Sequence, residues 1–251
     1  MGDIYATPEA DLSNETQSER HGGNIDDAVS GNFEVNMLET LGEAWRGLKG
    51  YKLKCHIALV IYFLVYLGAI LVSIPVVIGL AALGANEQTA AVVASIVQLL
   101  AIIATMPMIF AIMIMGMRHA LGKPISAGSV FSHFGSIPSI LLCYILQTLM
   151  IMVGLILLVL PGIYLMIAYM YAMPLVVEKK MGAWHAMETS RKALTKVWFR
   201  FFGLIWLLSF INILGLILIG IPWIWTIPWS MLAISMVYIK IFGVEAHTLA
   251  D

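Results

Sequence analysis

The stretch Ile57-ALVIYFLVYLGAILVSIPVVIGLAA-Leu83 decides what kind of protein this is, because it contains no Asp, Glu, Lys or Arg. A charge at a helix centre costs about 2.5–3.5 kcal/mol on insertion scales, so a run this long without one marks hydrocarbon as the solvent. Working outward, Ala90–Met117, Pro138–Leu160, Gly162–Val177, Phe201–Ile221 and Trp223–Ile239 are equally free of charge. A hydrocarbon core of about 30 Å takes about 20 helical residues at about 1.5 Å each, so each run is a spanning-helix candidate. The first two are too long to stand upright, which predicts tilt, a kink at Pro75 or Pro107, or projecting ends. Pro161 and Gly162 are expected to form the turn into the short fourth run, and Ile221-Pro222-Trp223 the turn between the fifth and sixth.

Composition agrees. The chain is 61% hydrophobic and 12% charged, against about 45–50% and about 25% in soluble domains. The net charge of −1 hides an uneven distribution. Residues 1–32 hold Asp3, Glu9, Asp11, Glu15, Glu19, Asp26 and Asp27 against Arg20 alone. With no hydrophobic periodicity, 1–32 reads as a disordered acidic cytoplasmic tail that cannot offset its ordering entropy, leaving 33–251 as the membrane domain. The polar first 25 residues carry no cleavable signal, so the first apolar run is expected to serve as the insertion signal.

Orientation follows from Lys and Arg, which short loops retain on the cytoplasmic side. Arg46, Lys49, Lys52 and Lys54 precede the first run; Arg118 and Lys123 lie between the second and third; Lys179, Lys180, Arg191, Lys192, Lys196 and Arg200 lie between the fourth and fifth; Lys240 ends the sixth. The opposite face carries only Glu87. This predicts a bacterial inner-membrane protein with both ends cytoplasmic. The basic-side segments are patterned as well. In 33–53, Val35, Leu38, Leu41, Trp45 and Leu48 recur at helical spacing opposite Glu39, Glu43, Arg46 and Lys49. Met181–Val197 repeats this with Trp184, Met187, Ala193 and Leu194, and Ser126–Phe134 gives a shorter version with Ser126 as its expected cap. The expected fold is therefore all-α: six transmembrane helices in three hairpins, each preceded by an amphipathic interfacial helix.

The stretch Pro161-Gly-Ile-Tyr-Leu165, with Tyr169, Tyr171, Met173-Pro-Leu-Val-Val-Glu178 and Trp184-His-Ala-Met-Glu-Thr-Ser-Arg-Lys192, resembles bacterial six-helix inner-membrane proteins of the YciC family. It is also similar to the membrane domain that precedes some glycerophosphodiester phosphodiesterases. The resemblance implies a fold and a compartment and no activity, since this sequence carries no phosphodiesterase domain.

Chemistry is sparse. His21, His56, His119, His133, His185 and His247 show no ligand-couple spacing with an acid nearby, and Cys55 and Cys143 read as buried packing thiols, so no metal or cofactor is expected. The many methionines read as flexible gap-fillers. No phosphate loop or catalytic triad appears, and no span buries a carboxylate of the kind that marks proton-coupled transport. The reading is a non-catalytic membrane component that organises lipid or a membrane protein assembly. Lys179, Lys180, Trp184, Arg191, Lys192 and Lys196 are its expected contacts to lipid headgroups, anionic ones included. A homo-oligomer or membrane protein partner is compatible with this, and nucleic acid is not expected. The alternative is a channel or facilitator for a small neutral or lipidic solute, with Gln98, Gln147 and Asn212 lining the path or joining helices.

Overall fold

The computed structural model describes residues 21–250, which form helices α1 (Ile25–Ser30), α2 (Met37–Arg46), α3 (Lys52–Ala82), α4 (Glu87–Ala120), α5 (Ile137–Leu157), α6 (Val159–Ala168), α7 (Ala172–Glu178), α8 (Ala183–Lys196), α9 (Trp198–Ile217), α10 (Trp223–Phe242) and α11 (Ala246–Leu249). Two 3-10 turns, Ala127–Phe131 and Phe134–Ser136, lead into α5. Among the described residues, six helical stretches are long and apolar enough to cross a membrane: α3, α4, Ala127–Leu157, Val159–Glu178, α9 and α10. Together they mark an all-helical integral membrane protein.

The protein-covered core lies toward the basic end. Met108, Ile112, Met115 and Met117 of α4 pack against Leu232, Val237, Ile241 and Phe242 of α10. Gly116 permits this approach, since a Cβ there would lie 2.5 Å from Ser235 Oγ, and that hydroxyl donates to the Met113 carbonyl at 3.0 Å. Away from this end the protein thins. α3 is fully buried only at Cys55 and Ala58, and Leu71, Val72, Ile74, Leu99 and Leu100 lie bare on α3 and α4. A surface so apolar is stable only against lipid. At 31 residues, α3 is about 46 Å long, and it runs through Pro75 without interruption, as α4 does through Pro107.

Several expectations need correction. The turn before the fourth span is Leu158, in extended conformation, and Pro161 sits in the first turn of α6, where its missing N–H costs nothing. Gly162 instead packs on Gly154 and under the Leu155 side chain. The fourth span is two helices with a break at Tyr169–Tyr171. Pro174, in the first turn of α7, has no N–H to donate to the carbonyl four residues back, so the break falls where a continuous helix would lack that bond. In place of a short amphipathic α-helix, Ser126–Phe134 forms 3-10 turns, with Ser126 Oγ accepting from the Gly128 amide at 3.3 Å.

The boundary at residue 32 also shifts. Residues 1–20 of the expected tail lie outside the described residues, but 21–32 are folded. Asn24 caps α1 by accepting from the Asp27 amide at 2.7 Å, Gly31 closes it at φ 88°, and Ala28 is buried. The Gly23 amide donates to the Ile239 carbonyl at 2.9 Å, and His21 bridges antiparallel to Val244. These contacts are mostly backbone to backbone, which no side-chain periodicity can announce.

Candidate functional site

The break in the fourth span organises the basic end. Ser190 of α8 donates to the Ala168 carbonyl at 2.7 Å and accepts from the Tyr171 amide at 3.2 Å, satisfying the two buried backbone groups that the break orphans. Tyr171 is fully buried among Phe201, Tyr238 and Phe242, with ring centroids 5.2–5.8 Å away, and its hydroxyl donates to the Ile234 carbonyl at 2.9 Å. It therefore packs the core.

Below the break lies a buried carboxylate. Glu178 Oε2 accepts from the Tyr238 hydroxyl at 2.8 Å, and Oε1 accepts from the Glu245 amide at 2.7 Å and the Thr248 hydroxyl at 3.3 Å. The Lys179 ammonium lies 3.5 Å from Glu178 and 3.0 Å from Glu245, with its side chain only 3% exposed. Arg118 donates to the carbonyls of Thr248 and Ala250 at 3.2 and 2.7 Å. The C-terminal segment is thus strapped across the end of the bundle. Lys179, expected at lipid headgroups, serves this strap instead.

The other expected headgroup contacts separate by environment. Trp184 is exposed at 55%. Arg191 is bound to Glu188 through two hydrogen bonds of 3.0 and 2.8 Å, which hold the Glu188 carboxyl below its ordinary range. Lys192 lines a small cavity that also contains Asp26 and Glu188, and the Lys196 stem lies against Gly31. The apolar side of α8, including Ala186, Met187, Ala193 and Leu194, is buried against this chain's own helices. Lys180, held at φ 53°, is exposed and has no partner among the described residues.

Lys180 opens onto a cavity of about 660 Å³ between α4, the 3-10 turns, α7 and the C-terminal segment. Its floor is Ala111, Ile114, Met115 and Val177, and its rim carries Arg118, Lys180, His133 and His247. Ser126, Ser129, Ser132 and Ser136 complete the wall. A 3-10 turn has three residues per turn, so serines three apart fall on one face. The Ser129 and Ser132 hydroxyls donate to the carbonyls of Ser126 and Ser129 at 2.7 and 2.6 Å, while Ser126 accepts only. The positive end of α5 opens on the same wall at Ser136. Cations and a helix N-terminus around an apolar floor suit an anion attached to an apolar body, while the Ser129 and Ser132 protons are already held by carbonyls. The signal was present in the sequence as serines at a period of three, but a search at periods of 3.6 and 2 passes over it.

The three neutral polar residues do not converge. Gln98 is exposed and reaches the Tyr66 hydroxyl at 3.5 Å; Gln147 is half-buried on α5; none of Gln98, Gln147 and Asn212 lines a cavity described here. Asn212 joins α9 to α10, bonding the hydroxyls of Ser230 and Thr226 at 2.9 Å each, while its carbonyl accepts from the Trp223 indole at 2.7 Å. Cys55 and Cys143 are free and buried, and among the described residues no three His, Cys, Asp or Glu side chains gather as a metal site would require. Comparison with protein-family models, curated proteins and solved structures returns no match to this chain.

Proposed function

We propose that this protein is a non-catalytic, multi-pass component of a bacterial inner membrane that organises anionic lipid at its basic, cytoplasmic end. In this reading the spans pair as three hairpins, α2 and α8 lie near the interface, and both chain ends face the cytoplasm. The observation that carries it is the Lys180 cavity, in which an ammonium without a partner among the described residues stands over an apolar floor at the level where the spans end. A headgroup phosphate would meet Lys180, His247 and the α5 N-terminus, and its acyl chains would follow Ile114 and Met115 toward the bare apolar waist.

The test is native mass spectrometry of protein released from bilayers containing phosphatidylglycerol. Lys180→Glu with His247→Glu should abolish most retained phosphatidylglycerol. Lys192→Glu with Lys196→Glu should change it little, because Asp26 and Glu188 already share the Lys192 cavity and the apolar side of α8 is covered by protein. Equal retention by the Lys180 variant and the parent would overturn the reading.

A further inference from the structure

A third cavity, of about 630 Å³, lies between the segment leading into α2 and the first turns of α9. Phe33, Val35, Met37 and Leu41 wall one side, and Leu204 and Leu207 the other. Two features set it apart from an ordinary crevice between helices. Gly203 lies in the middle of its α9 wall, and a Cβ added there would meet nothing within 4 Å, so the space is open down to the backbone. Glu34 and Arg200 both stand on its lining, yet they form no ion pair with one another, and neither has a partner among the described residues.

We propose that this groove seats one zwitterionic, amine-bearing glycerophospholipid, with its phosphate on Arg200, its ammonium on Glu34 and an acyl chain lying over Gly203. Charge complementarity selects this occupant. An anionic headgroup would be drawn to Arg200 and repelled by Glu34, whereas a phosphate and an ammonium a few bonds apart satisfy both. Depth agrees, because Arg200 is in the first turn of α9 at the basic end, and Gly203, Leu204 and Leu207 follow one and two turns further into the span. The groove continues onto Leu38, 73% exposed, which supplies apolar surface for the chain beside the headgroup. The inference rests on the membrane reading above but uses different residues from the anionic-lipid cavity.

The full chain, reconstituted in bilayers of equal phosphatidylethanolamine and phosphatidylglycerol, is released and its retained lipids identified by native mass spectrometry. Gly203→Leu should fill the groove and remove the retained phosphatidylethanolamine with no loss of thermal stability, because the new side chain enters open space. Glu34→Gln should reduce the preference for phosphatidylethanolamine over phosphatidylglycerol about tenfold, the size of one charge-assisted contact. Arg200→Gln should weaken both lipids at this groove. Lys180→Glu should lower phosphatidylglycerol and leave phosphatidylethanolamine in place, which separates failure at one site from failure at the other. Unchanged phosphatidylethanolamine in Gly203→Leu, or an unchanged lipid ratio in Glu34→Gln, would overturn the proposal. So would phosphatidylcholine competing equally, since its quaternary ammonium cannot donate to Glu34.

Discussion

The Ser190 hydroxyl on α8 donates to the Ala168 carbonyl on α6 at 2.7 Å, at the point where the fourth span breaks. The same oxygen accepts from the Tyr171 amide, so one side chain completes the backbone of a helix to which it does not belong. Ser190→Ala should therefore cost about 1–3 kcal/mol, the penalty for leaving buried polar groups unpaired. Reversible unfolding in mixed detergent measures it, and a loss below about 0.5 kcal/mol would mean that water or another donor already serves the break.

Glu178 and Lys179 should show strong non-additivity. Glu178→Ala removes the acceptor used by Tyr238, Glu245 and Thr248 and leaves the Lys179 ammonium with Glu245 alone, a change expected to cost about 3–5 kcal/mol. Adding Lys179→Met should recover part of that loss, because a buried ammonium that has lost one of its two carboxylates costs more than an apolar side chain of similar size. A double-mutant cycle with no coupling would show that the two residues act independently.

The clasp between the chain's early and late segments predicts intolerance at Gly243. It sits at φ 66° with the Gly23 carbonyl directly against it, so Gly243→Ala adds both backbone strain and a collision. A loss of about 1–3 kcal/mol is expected, accompanied by faster hydrogen exchange at the Gly23 amide. Exchange at Gly23 unchanged from the parent would dissociate the two segments.

Orientation can be read with an impermeant thiol reagent, since the native Cys55 and Cys143 are buried and give little background. On the proposed topology, cysteines placed at Glu87 and Leu160 should label from the side of the membrane opposite to those placed at Lys123 and Lys192. Labelling of all four from one side would overturn the topology assigned from Lys and Arg placement.

The Glu188 carboxyl is held below its ordinary value of 4.5, first by its hydrogen bond from Arg191. A depressed carboxyl contributes stability that is present above pH 4.5 and lost as pH falls below it. The pair is partly exposed, so the contribution is about 0–1 kcal/mol. Glu188→Gln should flatten this part of the stability profile between about pH 5 and 3, where protonation removes the carboxylate. An identical slope in the variant would assign the effect to other acids.

The sequence by itself determined the solvent and the count of spans. Runs such as Ile57–Leu83 exclude charge at every position, and that exclusion is imposed residue by residue by hydrocarbon, without reference to any neighbour. It also determined that every Lys and Arg lies outside the charge-free runs, because each run excludes charge along its own length. Only the tertiary structure decided which basic residues are available. Lys179 and Lys180 are adjacent and chemically alike, yet one is consumed by Glu178 and Glu245 and the other faces an open cavity. It likewise decided that residues 21–32 fold, through backbone bonds to Ile239 and Val244 made from the far end of the chain. Long-range pairing of this kind depends on where two distant segments meet in space, and a one-dimensional pattern of hydropathy and charge carries no record of that meeting.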